Sequence, residues 1–461
     1  MIGNFLSGIL AFTNWVWGWP MLIWLIGGGV VLSVKLGFIQ FRKLPFILKH
    51  TIGKSMGEKG KDGKFSGWQA VTGALASTLG AGSIVGAALA IGYGGPGGVF
   101  WMWVTGLIAC VIKYSEVVVA MKYRIRVNGA WKGGPQVYLP AATGMKWLGV
   151  LFAVICIITK FFGSSAQVAA VVDTFSIFHI SRTVITVTLT VIAGVIVMLG
   201  MGGLLAFTEK CVPIMSTLYF GAGILVILLN IQNLPGAVAS IFRYAFTGRA
   251  AVGGFSGASL AMCIRWGLAR GIYSNDAGNG ATTIMHSVAE VNHPVQQGMW
   301  GVFEVFCSTL VICSVTCLAI LCTGVWQQDI IPATYTITAF TQTLGVAGKV
   351  IVSISTLLFC FTTAVAGIMV GSEQIGSLVG SKAGTASKLL YMVLLVAGGM
   401  FGMKTMISYT DFFAFLMIAT NTVGVYKCAN DIVALTKEYF SDPEKWEAEK
   451  WPHWVELEKQ D

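Results

Sequence analysis

Charge is what this sequence has least of: Asp, Glu, Lys and Arg make up 11% of its 461 residues, against 55% hydrophobic ones. A soluble chain of that length needs far more surface charge, so the composition excludes a water-soluble globule and predicts an integral membrane protein. The ten cysteines (Cys110, Cys156, Cys211, Cys263, Cys307, Cys313, Cys317, Cys322, Cys360 and Cys428) stand singly in apolar segments. With no CxxC pair and no Cys/His cluster among them, they read as small core residues rather than a metal site. The sequence lacks an HExxH motif, a phosphate-cradling loop and a plausible nucleophile, histidine and acid set, so neither an enzyme nor an organic cofactor is expected. No basic region and small-residue cleavage site accompany the first apolar segment, which is therefore expected to stay. The formal charge of +10 comes without a basic and aromatic groove pattern, which argues against a nucleic-acid partner.

What is abundant is apolar sequence interrupted by glycine. Windows of about 20 apolar residues predict helices near 19–38, 67–91, 97–120, 147–172, 183–200, 211–231, 256–285, 298–323, 349–372, 387–401 and 408–430. Two of them are broken. The stretch from Ala74 to Ala90 carries Gly80, Gly82 and Gly86 where a helix should be strongest, and the stretch from Gly271 to Gly280 carries Ser274, Asn275, Asp276 and Gly278. Backbone groups released from a helix cannot face lipid, so each break must line a cavity and bind something. The expectation is an all-α polytopic membrane protein of about eleven spans: an extra helix and basic loop (1–66), a five-helix repeat (67–231), an external connection (232–255), a second five-helix repeat (256–430) and a tail (431–461). Each repeat opens with its discontinuous helix. An odd number of spans in each half makes the repeats inverted, the architecture of LeuT-like transporters, in which paired broken helices mark the transport site.

The basic residues orient the chain. Lys35, Arg42, Lys43, Lys49, Lys54, Lys59, Lys61 and Lys64 crowd the first connection, and Lys122, Arg124, Arg126, Lys132 and Lys146 the third. Those loops are expected to be cytoplasmic, which puts the amino terminus outside a multi-pass cell inner (plasma) membrane and the tail inside. The tail, with Trp446, Trp451 and Trp454, is expected along the inner surface, and the 232–255 connection to hold an amphipathic re-entrant piece.

Several motifs carry a family resemblance. Ile91-Gly-Tyr-Gly-Gly-Pro-Gly-Gly-Val-Phe-Trp-Met-Trp103, Lys113-Tyr-Ser-Glu116 with Lys122-Tyr-Arg124, Gly133-Gly-Pro135, the run from Gly267 to Gly278 and Pro294-Val-Gln-Gln-Gly298 occur in order over about 70–320. In these the chain resembles the alanine/glycine:cation symporter family of sodium-coupled amino acid carriers. The resemblance implies import of a small neutral amino acid with sodium by alternating access. It also shows departures: Ala81 stands for threonine, Ser83 for asparagine, Ser308 for a common aspartate, Asn279 for leucine and Gly367 for tryptophan. A diverged substrate, even one as large as glutamine, follows as an alternative.

Binding an amino acid requires donors for its carboxylate and acceptors for its ammonium. The amides of Gly80, Ala81 and Gly82, next to Thr78 and at a half-helix amino end, suit the carboxylate. Carbonyls before the Gly278 break, with Ser274 and Asn275, suit the ammonium, while Asp276 either caps the second half-helix or touches the ligand. Gln167 matches a glutamine of the family and is a further substrate contact by that resemblance. Sodium wants hard oxygens; Thr362 and Thr363 fit, and resemblance to LeuT-like carriers adds the carbonyls of Ala76 and Leu79. Ser83, in place of the asparagine of a second ion site, implies one sodium per substrate. Lys160 and Glu304 keep a proton-coupled or uncoupled carrier open, since ionisable residues inside a membrane are costly and tend to be functional. Glu304, like Glu116, is also readable as an interface side chain reaching for water, and His286 and His293 as residues of a solvated loop. Phe161 and Phe361 are candidate gate residues.

Overall fold

The computed structural model describes residues 11–13, 15–60, 64–127, 129–175, 178–247, 260–400 and 403–459. Helix α1 (Trp19–Lys35) is followed by short helices and the first broken span, α2 (Gly67–Thr78) and α3 (Ala87–Gly94), joined through a π-turn at Gly82–Gly86. Ser66 and Gln69 cap α2 reciprocally: the Gln69 amide donates to Ser66 Oγ and the Ser66 amide to Gln69 Oε1, both at 3.1 Å. Next come α4 (Gly97–Lys122), a two-stranded antiparallel hairpin of β1 (Ile125–Val127) and β2 (Ala130–Lys132), α5 (Pro135–Thr143), α6 (Lys146–Phe175), α7 (Arg182–Met198) and α8 (Gly200–Leu229). The second half contains α9 (Leu234–Thr247), α10 (Leu260–Asn275), α11 (Thr283–His286), α12 (Pro294–Thr323), α13 (Tyr335–Val379), α14 (Ser381–Met400) and α15 (Met403–Lys427). Helices α16 (Ala429–Ser441), α17 (Pro443–Ala448) and α18 (Pro452–Lys459) form the tail.

Among the described residues, six helices are long and apolar enough to cross a membrane, and eight if each of two bent pairs counts as one span. The difference from about eleven has local causes. Helices α1 and α7 are apolar but run for only 17 residues each, and within the described residues of the expected span 256–285 the helix α10 is followed only by the first residues of the four-residue helix α11. The expected span 349–372 is the second part of a 45-residue helix that turns at Gly345, where φ is +62°; a positive φ is open to glycine at little cost. Residues 234–247 of the expected connection form the helix α9, whereas 248–259 lie outside the described residues.

The central packing runs through α6, which lies between α13 and α15, while α4 lies against α10 and α12. Large side chains outside this core, such as Ile23, Val191, Val195, Leu199 and Val393, are more than half exposed, as suits helices bathed in lipid.

The end of the bundle that carries the basic loops is closed by the tail. The Arg124 guanidinium is sandwiched between the rings of Trp131, at 4.0 Å, and Trp454, at 3.9 Å. It also donates to the carbonyls of Ser287, at 3.1 Å, and Ala289, at 2.6 Å. Trp454 is fully buried, its indole donating to the Met121 carbonyl at 3.2 Å. Lys450 reaches Glu290 at 2.7 Å, and the Trp451 amide donates to the Asn292 carbonyl at 2.7 Å. His293 is therefore not in a solvated loop: it is packed among Tyr439, Trp446 and Trp451, and burial pushes its imidazole down to about 3. Burial raises the Glu290 carboxyl, but the hydrogen bond and charge of Lys450 and the Trp131 indole outweigh it and leave Glu290 below the usual carboxylate range.

Two outcomes are expected. Trp454→Ala should destabilise the protein by about 3–5 kcal/mol, the range for emptying a buried tryptophan site, read as a lowered thermal unfolding midpoint with earlier proteolysis of the tail. The native His293 takes up its proton only near pH 3, below its ordinary value of 6.5; acid therefore favours the undocked tail, with stability falling as pH drops below that ordinary value and Glu290 adding in the same direction. Limited proteolysis across pH should show tail cleavage increasing towards acid, with that increase reduced in His293→Gln.

Candidate functional site

The broken pair α2 and α3 and the end of α10 meet at the centre of the bundle. Helices α2 and α3 are bent by 56°, and the break leaves backbone groups of Thr78 to Ala81 without regular helical partners. The Gly80 amide turns back to the Thr78 carbonyl at 3.0 Å, and the Ala81 amide donates to Gln167 Oε1 at 2.9 Å. A side chain, not a water-filled gap, thus occupies the donor that a ligand carboxylate would use.

On the other side of the break, Thr363 Oγ1 on α13 lies 2.8 Å from the Ala76 carbonyl, 3.2 Å from the Leu79 carbonyl and 2.9 Å from the Phe359 carbonyl. The Phe359 carbonyl also takes its helical N–H within α13, so the one hydroxyl proton is left to serve the Ala76 and Leu79 carbonyls that the break frees, and it satisfies one of them. Thr362 Oγ1 shares the Phe359 carbonyl at 3.0 Å but also faces Met215 Sδ at 3.8 Å. The result is a converging set of hard oxygens short of donors, the chemistry that suits a small monovalent cation. Close approach requires glycine at 80, where a Cβ would stand 2.8 Å from Thr363 Oγ1 and 2.9 Å from Gln167 Oε1.

Helix α10 ends at Asn275, and the chain then passes through Asp276, Gly278 and Gly280, all with positive φ. Asp276 holds this unusual geometry through its side chain: Oδ1 accepts from Asn279 Nδ2 at 2.8 Å, and Oδ2 lies 3.6 Å from Lys160 Nζ. The N-cap of α11 is Thr282 rather than Asp276, so of the two roles expected for Asp276 the capping one is absent. Lys160 sits at the middle of α6 and faces the interior, its side chain 11% exposed against 20% for Asp276.

Between the breaks lies a cavity of about 70 Å³ whose lining includes Thr78, Gly80, Gly82, Lys160, Gln167 and Asp276, with Thr363 at its edge. That is far below the roughly 300–1,000 Å³ of typical ligand pockets. Other expected residues do not reach it. Ser274 turns to Cys313 Sγ at 3.0 Å and to Ser83 Oγ at 3.5 Å, while Asn275 Oδ1 accepts from the Ala277 amide. Ala81, Ser83 and Gly278 are buried beside the cavity and do not line it. Space left by Gly367 is filled by Ser164, whose hydroxyl bonds the Ala364 carbonyl at 3.2 Å.

Above this cavity opens a vestibule of about 690 Å³, at the end opposite the basic loops. Trp17 and Tyr273 line both spaces and so stand between them. Phe161 and Phe361 line neither; Phe361 packs edge-on against Phe207 instead. Arg270 Nη2 lies 3.5 Å from Asp411 Oδ2, bridging α10 to α15 on the vestibule floor, and the Trp17 indole donates to the Asp411 carbonyl at 2.9 Å. No spacing in the sequence pointed to Trp17 or Asp411, because their partners lie more than a hundred residues away.

Three side chains read from the sequence as wetted or peripheral are buried. Glu116, His286 and Glu304 have no exposed side-chain surface and meet around Lys113. Linear position set them near span ends, but α5, the 276–293 segment and the tail cover that end of the bundle.

The sequence profile of the sodium:alanine symporter family matches residues 4–452. The chain is 38% identical to an uncharacterised Bacillus subtilis transporter, YflA, over 93% of this chain and 92% of the relative. It is 31% identical to the sodium/alanine symporter AgcS of Methanococcus maripaludis, over 95% and 97%, and 29% identical to the probable sodium/glutamine symporter GlnT of Bacillus subtilis, over 92% and 88%.

Gly80 and Gly86 give a paired test. Gly80→Ala should destabilise by about 1–3 kcal/mol through overpacking. Gly86→Ala, where a Cβ meets nothing closer than 3.9 Å, should be neutral or stabilising by up to about 1 kcal/mol. Thermal unfolding of the two purified variants checks the opposite signs.

Proposed function

Because the chain belongs to the sodium:alanine symporter family, we propose that it imports a small neutral amino acid of the alanine or glycine class together with sodium, by alternating access across the cell membrane. The observation that carries this reading is the donor-poor oxygen set at the first break, where one Thr363 hydroxyl faces the carbonyls of both Ala76 and Leu79. Sodium there is coordinated by the carbonyls of Ala76, Leu79 and Phe359 with the hydroxyls of Thr363 and Thr362, and it ties α2 to α13. A single sodium suffices, since one charge crossing 100 mV supplies about 2.3 kcal/mol.

The amino acid enters from the vestibule, on the external side in this reading, with the amino terminus outside and the tail in the cytoplasm. Its carboxylate displaces Gln167 from the Ala81 amide and takes the amides of Gly80 to Gly82. Its ammonium turns to the Asp276 carboxylate, with Lys160 shifting aside. The two discontinuous helices belong to inverted five-helix repeats that rock about the site. The cavity favours alanine or glycine over glutamine: it is small, and Ser164 fills the room that Gly367 leaves. Arg270 and Asp411, with Trp17 and Tyr273, form the outer gate, which closes over bound substrate.

Uptake of a panel of labelled amino acids into proteoliposomes, each with an inward sodium gradient, an inward proton gradient or neither, tests the reading. Accumulation of alanine or glycine only under the sodium gradient is the expected result, and uptake indifferent to sodium sinks the ion assignment. Thr363→Val should raise the sodium concentration for half-maximal uptake by about tenfold or more, the equivalent of about 1.4 kcal/mol, whereas Thr362→Val should cost less because its hydroxyl also faces Met215.

A further inference from the structure

Beneath the small cavity, towards the basic loops and tail, lies an ionisable cluster that the transport reading does not use. Lys113 on α4 has three N–H donors. It lies 3.0 Å from the Asp276 carbonyl and 2.8 Å from Thr282 Oγ1, and so grips the unwound segment near both its ends. Glu116 Oε2 and Glu304 Oε1 stand 3.8 and 3.7 Å from the same ammonium, too far for a hydrogen bond. Both oxygens are fully buried and receive no donor. The other oxygens are satisfied: Glu116 Oε1 faces Asn421 Nδ2 at 3.3 Å, and Glu304 Oε2 faces His286 Nε2 at 3.0 Å. Beyond His286, Nδ1 lies 2.8 Å from the Gln297 amide group, whose oxygen as placed has no partner.

Charge bookkeeping leads to the same place. The charged groups that face this cluster are Lys113, Glu116, Glu304 and Asp276, with Lys160 paired to Asp276 from α6. The remaining neighbours are neutral or titrate far from charge: Tyr138 on α5, Asn421 on α15 and Gln297 on α12. Lys160 and Asp276, which line the small cavity, offset each other, and Lys113 against Glu116 and Glu304 leaves one uncompensated negative charge among side chains with no exposed surface, a state that a fold avoids by taking up a proton. We infer that the cluster binds one proton, held at the buried Glu116 carboxylate beside Lys113, and that it releases this proton to the cytoplasm when the inner end of the bundle opens. The inference rests on the carrier reading above.

Lys113 is the link between proton and movement. A shift of the 276–282 segment drags on the ammonium, breaks its contacts and admits water to the carboxylates, whose proton then leaves for the inner solution. It returns from the same side before closure. None of Lys113, Glu116, His286 or Glu304 lines the vestibule or the small cavity, so the proton has no path to the outer face and is not itself transported. Low internal pH therefore holds the inner end shut, and high internal pH favours its opening and slows closure.

The test is amino acid exchange in proteoliposomes of one orientation, with external pH fixed and internal pH stepped. In the wild-type protein exchange should pass through an optimum in internal pH, falling towards acid because opening needs proton release and towards alkali because closure needs its return, by up to about tenfold per pH unit on each limb, the limit for one proton. Glu304→Gln, which balances the charge without a proton, should flatten the profile, and Glu116→Gln should do the same, so that one variant failing to fold leaves the other to decide. A flat wild-type profile, an unchanged profile in both variants, or accumulation driven by a proton gradient alone overturns the inference and leaves the carrier standing. Absence of any amino acid transport overturns the carrier reading, and this one with it.

Discussion

The structure depends on one constraint: a helix broken inside a bilayer exposes amides and carbonyls that no lipid can satisfy, so the protein must satisfy them itself. At the first break the answer is two side chains reaching from other helices. Gln167 takes the Ala81 amide from α6, and Thr363 takes a carbonyl from α13. Both are makeshift in the useful sense that better partners exist. A carboxylate is a stronger acceptor for the amides than a neutral glutamine, and a cation serves both break carbonyls where one hydroxyl proton serves one. In the proposed carrier, binding would replace weak internal partners with strong external ones.

The second break is solved with charge. Asp276 is held in a left-handed conformation by Asn279 and Lys160 on its carboxylate and by Lys113 on its carbonyl. Two lysines from α4 and α6 thus converge on one residue of the unwound segment, from beneath and from beside the cavity. Removing a partner from such a buried pair leaves a bare charge in a poor dielectric, so these groups are strongly coupled to one another. Any movement of the segment is felt by α4, α6 and α12 together.

The two ends of the bundle are closed in different ways. Towards the vestibule, Arg270 and Asp411 meet at 3.5 Å over a floor of Trp17 and Tyr273, a thin and partly solvated contact. Towards the tail, closure is thick: Arg124 between two tryptophans, the Glu290 and Lys450 pair, and the buried cluster around Lys113 lie in succession. The closure at the tail end is thus the thicker of the two.

Amino acid order alone determined the membrane class, the positions of most long helices and both glycine breaks, because hydrophobic run length and glycine are local signals. It also singled out Thr362, Thr363, Lys160 and Asp276, polar residues in apolar runs where their type is itself conspicuous, while Gln167 was picked out by the family resemblance. What only the tertiary structure decided is which of the polar groups meet. Ser274 and Asn275 are as polar as Asp276 and one or two residues away, yet they point to Cys313 and the Ala277 amide rather than the cavity. Glu116, His286 and Glu304 looked peripheral by linear position, but the packing of α4, α11 and α12 buries them around one ammonium. Trp17 and Asp411 lie 394 residues apart and share a hydrogen bond at the vestibule floor. The reason is geometric: a helix turns about 100° per residue, so the direction of a side chain within a span is set by which neighbours the span packs against, and that information is nowhere local in the chain.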